Sequence, residues 1–255
     1  MGLTDKVEIP RRTMVLFFVI DTSGSMGGSK IGAVNAAIEE LIPALKDVSD
    51  ENPDAIIKVA VLEFSSGFRW ITQNGPVEVD KFHWTYIDAA GTTDLGAACR
   101  ELDAKLSRKA FMQEAAGSFA PVIFLLSDGG PTDDFAGGLA VLQQNSWYKV
   151  AGRVAIAIGD DADKDVLEQF TGTSETVLEV HDAKTLKRLI NMVAVRSSQI
   201  ASRSSNVGDT GKNIVDDPND PLGPGLDLTP ILSDPDIITI TNPDPKNTTI
   251  PEPEW

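Results

Sequence analysis

Short apolar runs alternate with longer amphipathic stretches along the first 200 residues of the chain. Four of the runs are nearly continuous and rich in β-branched or aromatic side chains. They lie at residues 14–20, 56–64, 122–126 and 154–158, and a weaker one lies at 176–180. Continuous apolar runs are typical of strands that are covered on both faces, as in a parallel sheet. The pattern therefore predicts a mainly parallel sheet.

The stretches between these runs have helical periodicity. Ile31, Val34 and Ile38, for example, would share one face of a helix. Helices are predicted at residues 30–45, 95–112, 135–144, 164–170 and 183–200. Alternating strands and helices predict an α/β fold, a doubly wound sheet with helices on both faces.

One part of the domain departs from this alternation. Residues 68–79 carry no helical pattern and place Asn74-Gly75 between two short strand-like runs. An Asn-Gly pair in such a setting is typical of a hairpin turn. The segment predicts a hairpin at one side of the sheet, which would give the sheet an antiparallel edge strand.

The composition changes near residue 203. Residues 204–255 hold nine of the fifteen prolines and ten acidic residues but only two lysines, which makes a folded core there unfavourable. We therefore divide the chain into an N-terminal arm (1–12), a domain (13–203) and an acidic tail (204–255). The tail is expected to be disordered when free or extended along a surface, with Trp255 at its end as a docking residue.

Charge and composition exclude several functions. The formal net charge of −16 disfavours nucleic acid and anionic membranes as partners. One cysteine and two histidines allow neither an intrachain disulfide nor a Cys/His zinc site. The run at 14–20 is too short for a membrane span or a signal-peptide core, so we expect a cytoplasmic protein.

Polar segments follow the predicted strands at the edge where α/β sheets bind ligands. Asp-Thr-Ser-Gly-Ser at 21–25 leaves the first strand, Gly-Thr-Thr-Asp at 91–94 precedes a helix, and Ser-Asp-Gly at 127–129 follows a central strand. They offer carboxylates and hydroxyls but no histidine or thiolate. Such an all-oxygen set is suited to a hard divalent cation, Mg²⁺ or Mn²⁺.

The combination of Asp-x-Ser-x-Ser at 21–25 with Thr93 and Asp128 resembles the metal-ion-dependent adhesion site of von Willebrand factor type A domains. The resemblance covers residues 13–195. Within that family, segments 91–96, 124–135 and 159–170 are similar to the bacterial TerY-like branch, which is associated with tellurium resistance.

The resemblance implies roles for five residues. Ser23, Ser25 and Thr93 would be direct hydroxyl ligands of the metal, while Asp21 and Asp128 would mostly hold metal-bound waters. It also implies a binding module rather than an enzyme, with a partner protein supplying an Asp or Glu carboxylate. The TerY-like similarity implies a stress-response setting, with a protein kinase and a PP2C-like phosphatase as possible partners.

Simpler explanations exist for the same residues. Asp-x-Ser-x-Ser could merely start a helix, because Asp and Ser side chains accept hydrogen bonds from helix-initial amides. Residues 24–30 do not match the phosphate-binding loop motif, because Ser29 stands where that motif needs glycine. Ser/His catalysis would need His83 or His181 beside Ser23 or Ser25. Asp133 and Asp134 are more typical of a helix start than of support for Asp128. The group of aspartates at 160–165 is more typical of a helix start than of a second metal site.

Two other functions stay open. The metal could assist phosphoryl transfer or hydrolysis, although Lys30 and Arg100 are the nearest basic residues in sequence. The tail could instead be the main binding element, or could reach the metal of its own or a neighbouring molecule and so cause self-association.

Overall fold

The computed structural model describes residues 11–52, 55–113, 117–180 and 183–204, together with Leu228 and Leu232. In that part of the chain the strands are β1 (Arg12–Asp21), β2 (Ala55–Ser65), β3 (Gly67–Trp70), β4 (Val77–Glu78), β5 (Val122–Ser127), β6 (Gly152–Ile158) and β7 (Val177–Val180). The helices are α1 (Ser29–Glu51), α2 (Leu95–Lys105), α3 (Phe135–Leu142), α4 (Ser146–Val150), α5 (Lys164–Thr171) and α6 (Ala183–Ser204).

The strands form one sheet in the order β3-β2-β1-β5-β6-β7. All neighbouring pairs are parallel except at one edge, where β3 and β4 both run antiparallel to β2. The predicted doubly wound, mainly parallel α/β fold with an antiparallel edge is confirmed.

Helices cover both faces of the sheet. In β1, Met14, Leu16 and Phe18 face a layer built with α1 and α6, whereas the alternate side chains Val15, Phe17 and Val19 face α2 to α5. Both sets are at least 98% buried. This burial on both faces explains why the strand lacks an alternating polar pattern.

The hairpin prediction is wrong about the position of the turn. The chain reverses at Ser66, because Ser65 of β2 pairs with Gly67 of β3. Asn74-Gly75 lies in the loop between β3 and β4, and those two strands both pair with β2. In that loop Thr72 Oγ1 accepts a hydrogen bond from Val61 N–H (3.3 Å), which keeps the loop on the edge of β2.

The largest differences from the predicted helix ends are in α1 and α2. α1 continues past residue 45 to Glu51, because Ser49 extends the buried face one turn beyond Leu45. α2 ends at Lys105 rather than at residue 112. The apolar pattern continues there because Leu106 and Met112 are buried in turns that follow the helix.

Two tail residues lie in the core. Leu228 and Leu232 are 4% and 8% exposed and belong to the layer formed by α1 and α6. Leu232 N–H donates to Leu228 C=O (2.9 Å), as in a helical turn. The expectation of a disordered or surface-extended tail does not hold at these positions. Trp255 lies outside the described residues.

In the part of the chain that the structure describes, no helix is both long and apolar enough to cross a membrane.

Candidate metal centre

The three polar segments predicted to carry chemistry converge at the carboxyl ends of β1 and β5. The first and second are joined by backbone hydrogen bonds from Ala90 N–H to Thr22 C=O (2.8 Å) and from Gly24 N–H to Gly91 C=O (3.1 Å). The second and third are joined by Thr132 N–H and Thr93 C=O (2.9 Å). These backbone hydrogen bonds hold the loops to one another.

Asp21, the last residue of β1, lies at the base of the site and is fully buried. Its Oδ1 accepts from Ser23 N–H (2.8 Å) and its Oδ2 accepts from Ser127 Oγ (2.6 Å). Burial raises the pKa of Asp21, and the hydrogen bonds from Ser127 and Ser23 offset part of that rise. A cation above this carboxylate would offset its desolvation further.

The side chains of Ser23, Ser25 and Asp128 form a continuous polar row. Ser23 Oγ lies 3.0 Å from Ser25 Oγ, and Ser25 Oγ donates to Asp128 Oδ1 (3.0 Å). Ser23 and Asp128 are buried, whereas Ser25 is exposed. The row is thus buried at both ends and reaches solvent at Ser25, its middle member.

The helix-start explanation of this motif is not supported for the two serines. Ser23 precedes a single 3₁₀ turn (Gly24–Met26), but its side chain makes no capping hydrogen bond. α1 begins after Gly28, which has no side chain to cap it. The hydroxyls of Ser23 and Ser25 face each other and Asp128 instead.

Thr93, the fifth predicted residue, is 5% exposed and sits two residues before α2. Its backbone N–H donates to Thr132 Oγ1 (2.9 Å), which fixes its loop against the segment after Asp128. The neighbouring Thr92 is exposed, and its hydroxyl is engaged with Ser66 (2.9 Å) and Asp94 (3.2 Å). Thr93 is therefore the more buried of the two threonines, and within the described residues its hydroxyl makes no hydrogen bond to the serine row.

Lys30 is a site residue that the sequence did not assign. Its Nζ donates to Asp128 Oδ2 (2.9 Å) and pairs with Asp161 Oδ1 (2.7 Å). Burial acts to lower the pKa of Lys30, but the contacts with Asp161 and Asp128 outweigh it and raise the pKa. Lys30 was noted in the sequence only as a nearby basic residue, because its reach to Asp128 depends on the fold.

Residues beyond the metal motif support the loops. Asp163 N–H donates to Asp128 C=O (2.8 Å). Gly129 permits this approach, since it has a φ of +82° and an added Cβ would lie 2.6 Å from Asp163 Cβ. The segment after β6 is thus tied directly to Asp128, a relation that no local sequence signal reveals.

Two of the aspartates predicted to start helices do so. Asp134 and Asp163 accept from amides in the first turns of α3 and α5. Asp133 instead caps α2, since its Oδ1 and Oδ2 accept from Gly96 N–H (2.8 Å) and Ala97 N–H (2.7 Å). This contact holds the helix that follows Thr93.

Within the described residues, neither His83 nor Cys99 makes a hydrogen bond to the side chains of the site. His83 is exposed and its Nδ1 is 3.1 Å from Lys81 C=O, and His181 lies outside the described residues. Cys99 is buried in α2, as its Ala-rich setting predicts.

The donor set fits a hard divalent cation that keeps several waters. It combines two carboxylates with neutral hydroxyls, and the described residues contain no group of three or more His, Cys, Asp or Glu arranged to hold a metal. Mg²⁺ is commonly bound through one or two carboxylates while retaining water, so a set with few charges is suited to it.

The sequence profile of the von Willebrand factor type A domain matches residues 16–192, which is more than half of the chain. The chain belongs to this family. VWA domains often serve as metal-dependent protein-interaction modules. The matched span begins in β1 and ends in α6, so it contains all five candidate metal residues.

Solved structures share the VWA fold. The pilus adhesin SpaC from Lactobacillus rhamnosus GG, in an open conformation, has a TM-score of 0.55 and 13% identity, covering 74% of this chain and 30% of that one. A von Willebrand factor type A protein from Catenulispora acidiphila has a TM-score of 0.51 and 19% identity, covering 73% and 43%. Proximal thread matrix protein 1 from the mussel byssus, solved with a zinc-occupied MIDAS motif, has a TM-score of 0.51 and 16% identity, covering 74% and 48%.

At these identities the likeness shows the fold, and this VWA chain spans less than half of the length of each of the three proteins. A comparison with curated proteins found no match.

Proposed function

We propose that this VWA domain is a metal-dependent protein-binding module, with Mg²⁺ or Mn²⁺ held at a metal-ion-dependent adhesion site. Ser23, Ser25 and Thr93 supply hydroxyls to the metal, and Asp21 and Asp128 hold its waters. The observation that carries the proposal is the row of hydrogen bonds from Ser23 through Ser25 to Asp128, in a site whose base is the buried carboxylate of Asp21.

The proposed ligand is an Asp or Glu carboxylate of a partner protein. Neutral hydroxyls leave most of the metal charge uncompensated, and Ser25 opens the site to solvent. An incoming carboxylate would replace a water in the metal's octahedral shell and bring the missing negative charge. The zinc-occupied MIDAS of the mussel protein supports a divalent metal on this fold.

We further propose a TerY-like stress-response role, with a kinase or PP2C-like phosphatase as partner. Its support is the spatial grouping of the three similar segments. Thr93 C=O accepts a hydrogen bond from Thr132 N–H, and Asp128 C=O accepts one from Asp163 N–H. The three segments therefore meet at one site. They therefore have a common surface through which a shared partner could be recognised.

Binding, rather than catalysis, is the proposed activity. The basic residues nearest the loops, Lys30 and Arg100, are paired with Asp128 and Asp134, and phosphoryl transfer usually needs basic groups on the phosphate. An assay of phosphate-ester hydrolysis with Mg²⁺ or Mn²⁺ tests this. Turnover that disappears in Asp128→Ala would replace the binding proposal by an enzymatic one.

The test of partner binding is quantitative capture from lysate of the native host. Four samples are compared: wild type in Mg²⁺, wild type in chelator, Asp128→Ala in Mg²⁺ and Asp80→Ala in Mg²⁺. Asp80 is the matched control because it is an exposed aspartate beside β4, at the opposite end of β2 from the site.

The proposal expects the same proteins in the first and fourth samples and their loss from the other two. Equal capture in all four samples would contradict it and would move the function to the tail or to another surface.

A further inference from the structure

Leu228 and Leu232 are buried although the sequence around them is polar and proline-rich. They are 4% and 8% exposed, and both belong to the hydrophobic layer between the sheet and the helices α1 and α6. Residues from an acidic tail gain such burial only where the folded domain offers an apolar surface of matching shape.

The two leucines are presented as one helical turn. They are four residues apart, and Leu232 N–H donates to Leu228 C=O (2.9 Å). That spacing puts both side chains on one face of a helix. In the sequence, Asp227 stands directly before the turn and Pro230 falls within its first residues, and both residue types are favoured at helix starts.

The hydrophobic layer that contains them includes side chains of two long helices. α1 contributes Ile38 and Leu41 to the layer, and α6 contributes Leu189 and Val193. Lys187 of α6 pairs with Glu40 of α1 (3.1 Å), which ties the helices together on their outer side. Apart from Leu228 and Leu232, the described members of this layer all belong to the domain.

The link between domain and turn is long. Residues 205–227 separate the end of α6 from Leu228. A segment of the same chain binds its own domain as an intramolecular ligand, and its effective concentration is then set by the connecting chain rather than by the protein concentration.

We propose that the layer beneath α1 and α6 contains a groove for a one-turn helical peptide with leucines four residues apart, and that residues 228–232 occupy it as an intramolecular ligand. The groove is separate from the metal centre and does not depend on the proposed metal function. A free peptide of the same sequence binds there once the chain's own turn is displaced.

The test uses the full chain and a fluorescent synthetic peptide of residues 224–236. The double variant Leu228→Asp/Leu232→Asp displaces the resident turn, and Ser233→Asp is the control that adds charge beside it. We expect the peptide to bind the double variant at least tenfold more tightly than it binds wild type or Ser233→Asp. A peptide with alanine at both leucine positions should not bind. Equal affinity of the 224–236 peptide for all three proteins would overturn the proposal.

A second measurement covers the case in which the double variant does not fold. Hydrogen exchange of the wild-type chain should show slow exchange at the Leu232 amide, because its hydrogen is bonded within a buried turn. Exchange at the rate of the free peptide would overturn the proposal. Light scattering tests whether the turn docks on a second copy of the chain instead. A wild-type dimer that becomes monomeric in Leu228→Ala/Leu232→Ala would mean that the turn docks on a second copy rather than on its own domain.

Discussion

The ammonium group of Lys30 lies 2.9 Å from Asp128 Oδ2, at one of the two carboxylates proposed to serve the metal. The lysine side chain is 17% exposed and also pairs with Asp161. Lys30 thus supplies positive charge to the third loop of the site. A divalent cation that uses Asp128 must share that carboxylate with Lys30 or displace it.

Removing this lysine should strengthen metal binding. In Lys30→Met the site loses a competing charge while the methylene chain is largely kept, so we expect the dissociation constant for Mn²⁺ to fall by roughly three- to tenfold, on the scale of about 1 kcal/mol for a partly exposed ion pair. Isothermal titration calorimetry measures this dissociation constant in Lys30→Met and in wild type.

Lys187→Met is the matched control for that experiment. It removes a lysine of another ion pair, with Glu40 on the outer side of α1 and α6, and should leave Mn²⁺ affinity unchanged. Weaker metal binding by Lys30→Met than by wild type would show that the lysine organises Asp128 for the metal rather than competing with it.

Close packing of α2 on α3 should make one glycine irreplaceable. A Cβ at Gly138 would lie 2.2 Å from Gly96 C=O, whereas a Cβ at Gly32 of α1 would meet nothing within 4 Å. We expect Gly138→Ala to reduce the free energy of unfolding by about 1–3 kcal/mol through overpacking. Gly32→Ala should increase it by about 0.5–1 kcal/mol, the usual helical preference for alanine.

Urea unfolding of the two glycine variants measures this difference. The same sign of change in both variants would contradict the close approach of the helices.

Much of this fold could be predicted from the sequence because its signals are local. Each inner strand is buried on both faces and so has a continuous apolar run, as in β1 and β5. The edge was harder to predict. Asn74-Gly75 has the local chemistry of a hairpin turn, but β2 is long enough to pair with both β3 and β4, and this pairing moved the reversal to Ser66.

In the candidate site, too, some contacts could be predicted from the sequence and others could not. The convergence of Asp21, Ser23, Ser25 and Asp128 could be expected, because polar residues after parallel strands meet at one edge. The contacts of Lys30 with Asp128 and of Asp133 with α2 could not be predicted from the sequence. They join residues that are 98 and 37 positions apart, and no local sequence pattern links such residues. Leu228 and Leu232 were predicted as part of a tail because composition reports the average of a segment, not two docked side chains.

The carboxylate of Asp133 should stabilise α2 as a cap. It accepts from the amides of Gly96 and Ala97, which have no partner within the helix. Asp133→Ala should lower the free energy of unfolding by about 1–2 kcal/mol. Asp165→Ala, which removes an exposed aspartate from the first turn of α5, should change it by less than about 0.5 kcal/mol. Chemical denaturation that finds equal losses would argue against a specific cap.

Cys99 should be unreactive in the folded protein. Burial raises the pKa of its thiol to about 12, so the nucleophilic thiolate is nearly absent at pH 8. We expect a disulfide reagent to modify the chain only after unfolding in urea. Rapid stoichiometric modification of the folded chain at pH 8 would contradict this.

The same shift makes stability depend on pH. The unfolded thiol ionises near pH 9, whereas the folded thiol remains protonated to about 12, so its contribution is complete below pH 9 and is lost as the pH rises through that window. Cys99→Ala should weaken this alkaline dependence in unfolding experiments, relative to wild type.

The most direct test of the central claim is a Mn²⁺ titration of wild type, Asp128→Ala and Asp80→Ala by calorimetry. A metal held by the loops that contain Asp21, Ser23, Ser25, Thr93 and Asp128 predicts one site in wild type and in Asp80→Ala, with binding lost in Asp128→Ala while its circular dichroism spectrum stays unchanged. Equal binding by all three proteins, or no binding by wild type at millimolar Mn²⁺, would contradict the proposed metal centre.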